Sequence, residues 1–375
     1  MKFALVTLFL AATAIALEYG GDVYASPARR VARNVEPAIF SDLSDVSNLT
    51  VTKELPQSNS FAYHARVKYN GKDGMIGCSS RESTKKRMMR VAEHLSNGTN
   101  IPGLTFVSDN TFPKVENITV MVEKRHCVLT TWPVSVSLKE YVQDMTPAQK
   151  DKKLPAIFVQ VISALKYLAN MGFLYDTIGP ESIMIRSNMA SEVPDVVVAD
   201  LHHIWGNYGV SKTEQCTALQ QAYEPENFKN ERGYLPPEDY NFSGEVFMEK
   251  RISWMLGATI YDSLAGMPPY GFTKTPGGVI PWESGRIWEV MKDLRTSGNN
   301  TYPPVKTSNQ QLLTLMETLL TCNPQNRTAI KMLELDAVKR LADGSGVKLI
   351  PEIIKADPWE MLKSALRIIN PFARS

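Results

Sequence analysis

Two short stretches hold residue types that could do chemistry together. Met171–Ile185 reads MGFLYDTIGPESIMI and Val196–His203 reads VVVADLHH. Asp176 and Asp200 are carboxylates, able to take a proton or hold a cation, whereas Thr177 and Ser182 offer only hydroxyls. A threonine cannot accept a proton at neutral pH, so an acid–base role falls on a carboxylate or on nothing. Asp200, His202 and His203 are ligand types for a divalent ion. No further ligand stands at a suitable spacing, so no metal site is expected and packing is the preferred role for Leu201 and Tyr175.

The elements that must position these stretches follow from periodicity. Phe158–Met171 places Phe158, Val161, Ile162, Leu165 and Leu168 on one helical stripe that ends at Gly172. Further helices are expected at 137–142, 252–265, 285–294, 309–320 and 329–341, with 268–282 a Pro- and Gly-rich loop between two of them. Upstream the pattern is β. Phe61–Tyr69 alternates with Tyr63, Ala65, Val67 and Tyr69 on one face, Asn70-Gly71 is a hairpin turn, and Met75–Ser79 returns. A helix at 83–96 and strands at 105–107, 119–123 and 126–130 complete a small β-rich region. Thr131-Trp132-Pro133 reads as the hinge to the helical part.

In order along the chain stand VISALKYLANMGF, PESIMI, VVVADL, YLPPE, SWMLGATIYDSLAGMPPY and LLTCNPQNRTA. Six such segments in this order and spacing resemble the large lobe of a protein kinase, and the resemblance spans roughly residues 55–341. It implies an α+β, two-lobed protein-kinase-like fold with a small β-rich lobe and a larger helical one. It also implies that Glu238 pairs with Arg327, an ion pair that keeps the fold rather than the chemistry.

The same resemblance shows what has been lost. The catalytic loop of the family reads H-R-D-L-x-x-x-N, its Asp a base and its Asn a metal ligand. Here Tyr175, Asp176 and Thr177 take the three leading places, Gly179 stands where a Lys is usual, and Ser182 replaces the Asn. Asp176 lies one residue early, and on a tight loop that shift turns a side chain away. A Gly-rich loop should cover the phosphates, yet there is no glycine between Glu54 and Asn70. The strand MIGCSS has no Lys, and the helix position meant for its Glu partner falls near Met88, with Glu82 and Glu93 close by. Ile252 replaces the Asp that tethers the catalytic loop in D-x-W-S-x-G. Asp200 alone remains at a metal position, as a vestige. Base, Lys, Asn and glycines are absent together, so neither phosphoryl transfer nor a bound nucleotide cofactor is expected.

Composition sets the surroundings. At 43% apolar the 375 residues can bury a substantial core, and a formal charge of +2 calls for no nucleic acid. Residues 1–16 read as a secretory signal peptide, since the run FALVTLFLAATAIA is shorter than the about 20 residues that span a bilayer and ends in a small-x-small pattern. Export would let Cys78, Cys127, Cys216 and Cys322 form disulfides, Cys216–Cys322 being favoured because both fall in the larger lobe. N-x-S/T sequons begin at Asn48, Asn97, Asn117, Asn241, Asn299 and Asn326. The expected domains are a polar extension at 17–55, a kinase-like domain at 56–341 divided at 131/132, and a tail at 342–375. Trp359, Leu362, Leu366 and Ile369 share one face of a helix in that tail, which packs on the large lobe or, less favoured, lies on a membrane.

The expected protein is therefore a secreted pseudokinase that binds protein partners. Secretion with a degenerate kinase plan resembles the rhoptry kinase family of apicomplexan parasites, which implies delivery to a vacuole, its membrane or a cyst wall. Two rivals are an atypical kinase still holding ATP and magnesium through Asp200, and a structural wall component.

Overall fold

The computed structural model describes residue 43, then 46–54, 63–79, 114–116, 121–122, 125–170, 173–175, 178–186, 193–199, 204–206, 233–240, 248–330, 336–345 and 347. The expected helices at 83–96 and in the tail, and the strand at 105–107, lie outside these residues. The chain divides into two units, Met1–Ser47 and Asn48–Ser375. All that follows concerns the second.

Its first part is a six-stranded antiparallel sheet. β1 (Leu49–Glu54), β2 (Tyr63–Tyr69), β3 (Lys72–Ser79), β4 (Lys114–Glu116), β5 (Met121–Val122) and β6 (Arg125–Trp132) pair in the order β1-β2-β3-β6-β4, with β5 also on β6. β2 and β3 join at Asn70-Gly71, whose φ values of 48° and 77° are both left-handed, as the tightest hairpin turn requires. β1 lies within the stretch expected to be a polar extension, so the sheet begins at Leu49 and not after residue 55. As an edge strand it is only half covered, and its alternation (LTVTKE) is short and too polar to stand out. Tyr63, Ala65 and Val67 are buried as the alternation implies, but His64 on the opposite face is buried too, against the Met75 sulfur at 2.9 Å.

The helical part begins after the turn at Pro133. β7 (Val136–Ser137) leads into α1 (Leu138–Gln143), where Ser137 and Glu140 cap each other's backbone N–H groups. α2 (Pro147–Asn170) starts earlier than its apolar stripe, because its first two turns, PAQKDKK, are polar. Pro155 sits inside it and removes the N–H that would bond to the Asp151 carbonyl. Asn309 Nδ2 donates to that carbonyl instead, at 3.3 Å, so the defect becomes a tie to the segment before a later helix.

Short strands follow in pairs: β8 (Phe173–Tyr175), β9 (Ile183–Arg186), β10 (Asp195–Val198) and β11 (Ile204–Gly206). β9 pairs with β10 and β7, and β8 pairs with β11. Then come α3 (Met248–Ala265), α4 (Ser284–Ser297), α5 (Gln310–Leu319) and α6 (Asp336–Ser345). The expected loop at 268–282 contains a hairpin, β12 (Phe272–Thr275) on β13 (Gly278–Pro281), turned by Pro276-Gly277. Its strands are too short and exposed to show an apolar period.

α3 is the axis of the core: Trp254, Met255, Leu256, Ala258 and Ile260 are all fully buried. At Gly257 a Cβ would lie 2.9 Å from Leu319 and Leu320, so α3 and the end of α5 meet only because that side chain is missing. Ile178, Ile183, Ile185, Val196 and Val198 join the same cluster, which fixes the strands of the candidate site onto the helices. No helix among the described residues is long and apolar enough to cross a membrane.

Candidate functional site

β8 and β9 flank residues 176–182, and β10 and β11 flank 199–203. Register brings the two loops together: Ile183 faces Val198 across β9–β10, and Tyr175 faces Ile204 across β8–β11. The Ala199 N–H then donates to the Ser182 carbonyl at 2.9 Å, and the Lys139 N–H donates to Pro180 O at 3.3 Å. The two chemistry-bearing stretches are thus neighbours, held by backbone. Of Tyr175 the backbone strand is described; Asp176, Thr177 and Asp200, with Leu201, His202 and His203, lie outside the described residues.

Ser182 is turned to a local task. Its hydroxyl donates to the Gly179 carbonyl at 2.9 Å and accepts from the Gly179 N–H at 3.1 Å, closing its own turn. A Cβ at Gly179 would meet nothing within 4 Å, so space does not demand glycine there. Ile252, expected to stand in place of a polar tether, is 2% exposed and belongs to the same apolar cluster as Ile178.

Between the two parts, where the hinge side of the cleft closes, stand Met75 and Trp132 from the sheet with Met184, Val197 and Ala199 below. None is more than 4% exposed. Asp73 accepts the Ser135 N–H at 2.8 Å and holds the hinge against β3. The cleft is also crossed by a polar contact. Arg66 Nη2 donates to the Glu181 backbone carbonyl at 2.6 Å and to its carboxylate at 2.9 Å. Neither residue stood out in the sequence, although Arg66 occupies the other face of the alternating strand and Glu181 lies inside PESIMI.

Cys78, on β3, is joined by a disulfide to Cys127, its directly paired neighbour across β3–β6. The expected Cys216–Cys322 bridge is therefore corrected: Cys322 is a free, buried thiol. It donates to Asn300 Oδ1 at 3.0 Å, and burial pushes its pKa up to about 11. The error came from assigning cysteines by lobe; facing positions on paired strands bring sulfurs together, which lobe membership does not.

Glu238 and Arg327 do meet. Arg327 Nη1 lies 2.6 Å from Glu238 Oε1 and Nη2 lies 3.0 Å from Oε2, a buried two-pronged pair. Beside it, Asp239 and Arg251 form a second buried pair at 2.6 Å. Among the described residues no three His, Cys, Asp or Glu side chains converge as a metal site would.

The family model of the protein kinase domain matches residues 110–336, three-fifths of the chain. The chain is 28% identical over 114 residues to 3-phosphoinositide-dependent protein kinase 1 of Arabidopsis thaliana, covering 30% of this chain and 21% of that protein. It is 30% identical over 115 residues to serine/threonine-protein kinase PKH2 of Saccharomyces cerevisiae, covering 30% of this chain and 10% of that one. A probable serine/threonine-protein kinase of Dictyostelium discoideum is 24% identical over 119 residues, 30% of this chain and 25% of its own. The matched stretch thus spans between a tenth and a quarter of each of these relatives.

Proposed function

The chain belongs to the protein kinase domain family, and from that premise we propose that it is a secreted pseudokinase, a protein-binding scaffold or allosteric regulator that transfers no phosphoryl group. The observation that carries this reading is the cleft itself. Met75, Trp132, Met184, Val197 and Ala199 pack against one another between the six-stranded sheet and the β9–β10 strands. A nucleotide would have to displace five side chains already removed from water. The residues present also do not suit magnesium and ATP: no lysine in the MIGCSS stretch of β3, a cysteine bridge there, and a serine hydroxyl spent on its own turn.

A disulfide between paired strands supports maturation in an oxidising compartment, in line with the signal-peptide-like first residues. Within that setting we favour the rhoptry-kinase-like reading, with action in a parasite vacuole or cyst wall. The test is a thermal shift of the mature protein with ATP or ADP, with and without magnesium. A ligand at 100 times its Kd adds about 2.7 kcal/mol, a shift of several degrees. No shift at millimolar nucleotide is expected. A magnesium-dependent shift that Asp200→Ala abolishes would overturn the reading and restore the enzyme alternative.

A further inference from the structure

Paired residues on antiparallel strands share a face of the sheet. Lys53 pairs with Arg66, Arg66 with Met75, and Met75 with Thr130, so these four form one row across β1, β2, β3 and β6. That row includes Met75, part of the apolar cluster in the cleft. The polar contact and the apolar one are therefore adjacent members of a single row.

Opposite the row the large lobe presents acids. Glu181 receives both Arg66 hydrogen bonds, with Lys53 Nζ at 3.9 Å and Lys139 Nζ at 3.8 Å. Glu140 on α1 is held below its usual carboxylate range, first by the Ser137 N–H and then, against the opposing effect of burial, by the Ser137 hydroxyl and the charges of Arg66 and Lys53. Lys53 and Arg66 of the small lobe thus meet large-lobe anions across the cleft, while Lys139 reaches Glu181 from α1 within the large lobe. The lysines are more than half exposed and contribute little. Arg66 differs: its side chain is 12% exposed, and it grips a backbone carbonyl as well as a carboxylate.

We propose that the Arg66–Glu181 contact is an interlobe latch, an autoinhibitory tie that keeps the cleft shut over its apolar filling. The switch available to this protein is then lobe opening, which would break both Arg66 bonds and uncover Met75, Trp132 and Met184. This rests on the reading of a nucleotide-free cleft, and the two fail separately. Hydrogen exchange would be followed in the full mature chain for wild type, Arg66→Met and Glu181→Gln. Arg66→Met keeps the apolar stem, and Glu181→Gln keeps both the carbonyl and the fold.

Exchange in residues 63–79 and 183–198 is expected to quicken about tenfold in Arg66→Met, and less in Glu181→Gln, with α3 and α5 unchanged. Raised salt should quicken the wild type in the same two segments. If both variants keep α3 protected while those segments exchange as in wild type, there is no latch. If Arg66→Met loses protection everywhere, the Glu181→Gln pattern decides: local quickening supports the latch, none overturns it. A nucleotide shift in the wild type would instead sink the underlying reading.

Discussion

Replacing Arg327 by methionine would keep most of the stem's volume and remove one charge. The guanidinium is fully buried and makes five hydrogen bonds: two to Glu238, and three to the carbonyls of Thr321, Lys250 and Cys322 at 2.7, 3.2 and 3.1 Å. It also lies 4.9 Å from the Trp254 ring centre. Its loss strands the Glu238 carboxylate, 6% exposed, with no opposing charge. Removing one partner of such a pair costs about 3–5 kcal/mol. At an unfolding entropy near 2 cal/mol/K per residue over about 300 residues, that lowers Tm by roughly 5–8 °C. Calorimetry on Arg327→Met, Glu238→Gln and the double variant would read it. The double variant should lose far less than the two singles together, because it leaves no charge stranded. Arg186→Met is the control, since its pair with Asp195 is about one-third exposed and worth about 1 kcal/mol or less. Additive losses, or a Tm drop under about 2 °C for Arg327→Met, would refute the reasoning.

Two further outcomes follow from the same interior. Burial raises the Asp239 pKa to about 6, with Arg251 pulling against it. Its folded pKa then exceeds the unfolded one, so the native state holds the proton more tightly between about pH 4 and 6, and stability from this group rises as pH falls through that window. Wild type should gain on Asp239→Asn as pH falls from 7 to 4 in urea unfolding, and a loss instead would overturn the assignment. Replacing Cys78 and Cys127 by serine should cost about 4 kcal/mol for a separation of 49 residues, and a reductant should lower the Tm of the wild type but not of that variant.

The large lobe was legible because its segments are long and its apolar periods strong: α3 and α5 fall where SWMLGATIYDSLA and LLTLMETL place them. The polar starts, MEK in α3 and PAQKD in α2, were missed because such residues carry no apolar period. In the small lobe, Asn70-Gly71 announced its hairpin, whereas edge strand β1 there and the β12–β13 hairpin in the large lobe expose too many of their residues to alternate. At the candidate site, spacing singled out Gly179, Ser182 and Ile252, but not the contacts they make. That Ser182 closes a turn, that Cys78 finds Cys127 and that Arg66 reaches Glu181 are long-range or conformational facts. The last pair is 115 residues apart in the chain.

The bridge between Cys78 and Cys127 also changes what a protease can do to this molecule. Together with the backbone it makes a closed covalent ring whose two ends leave from the central strands of the sheet. A single cut anywhere between those cysteines opens the ring without dividing the chain. The nicked protein would run as one species on a gel without reductant and as two with it. A single nick there therefore separates the chain only when thiols are present.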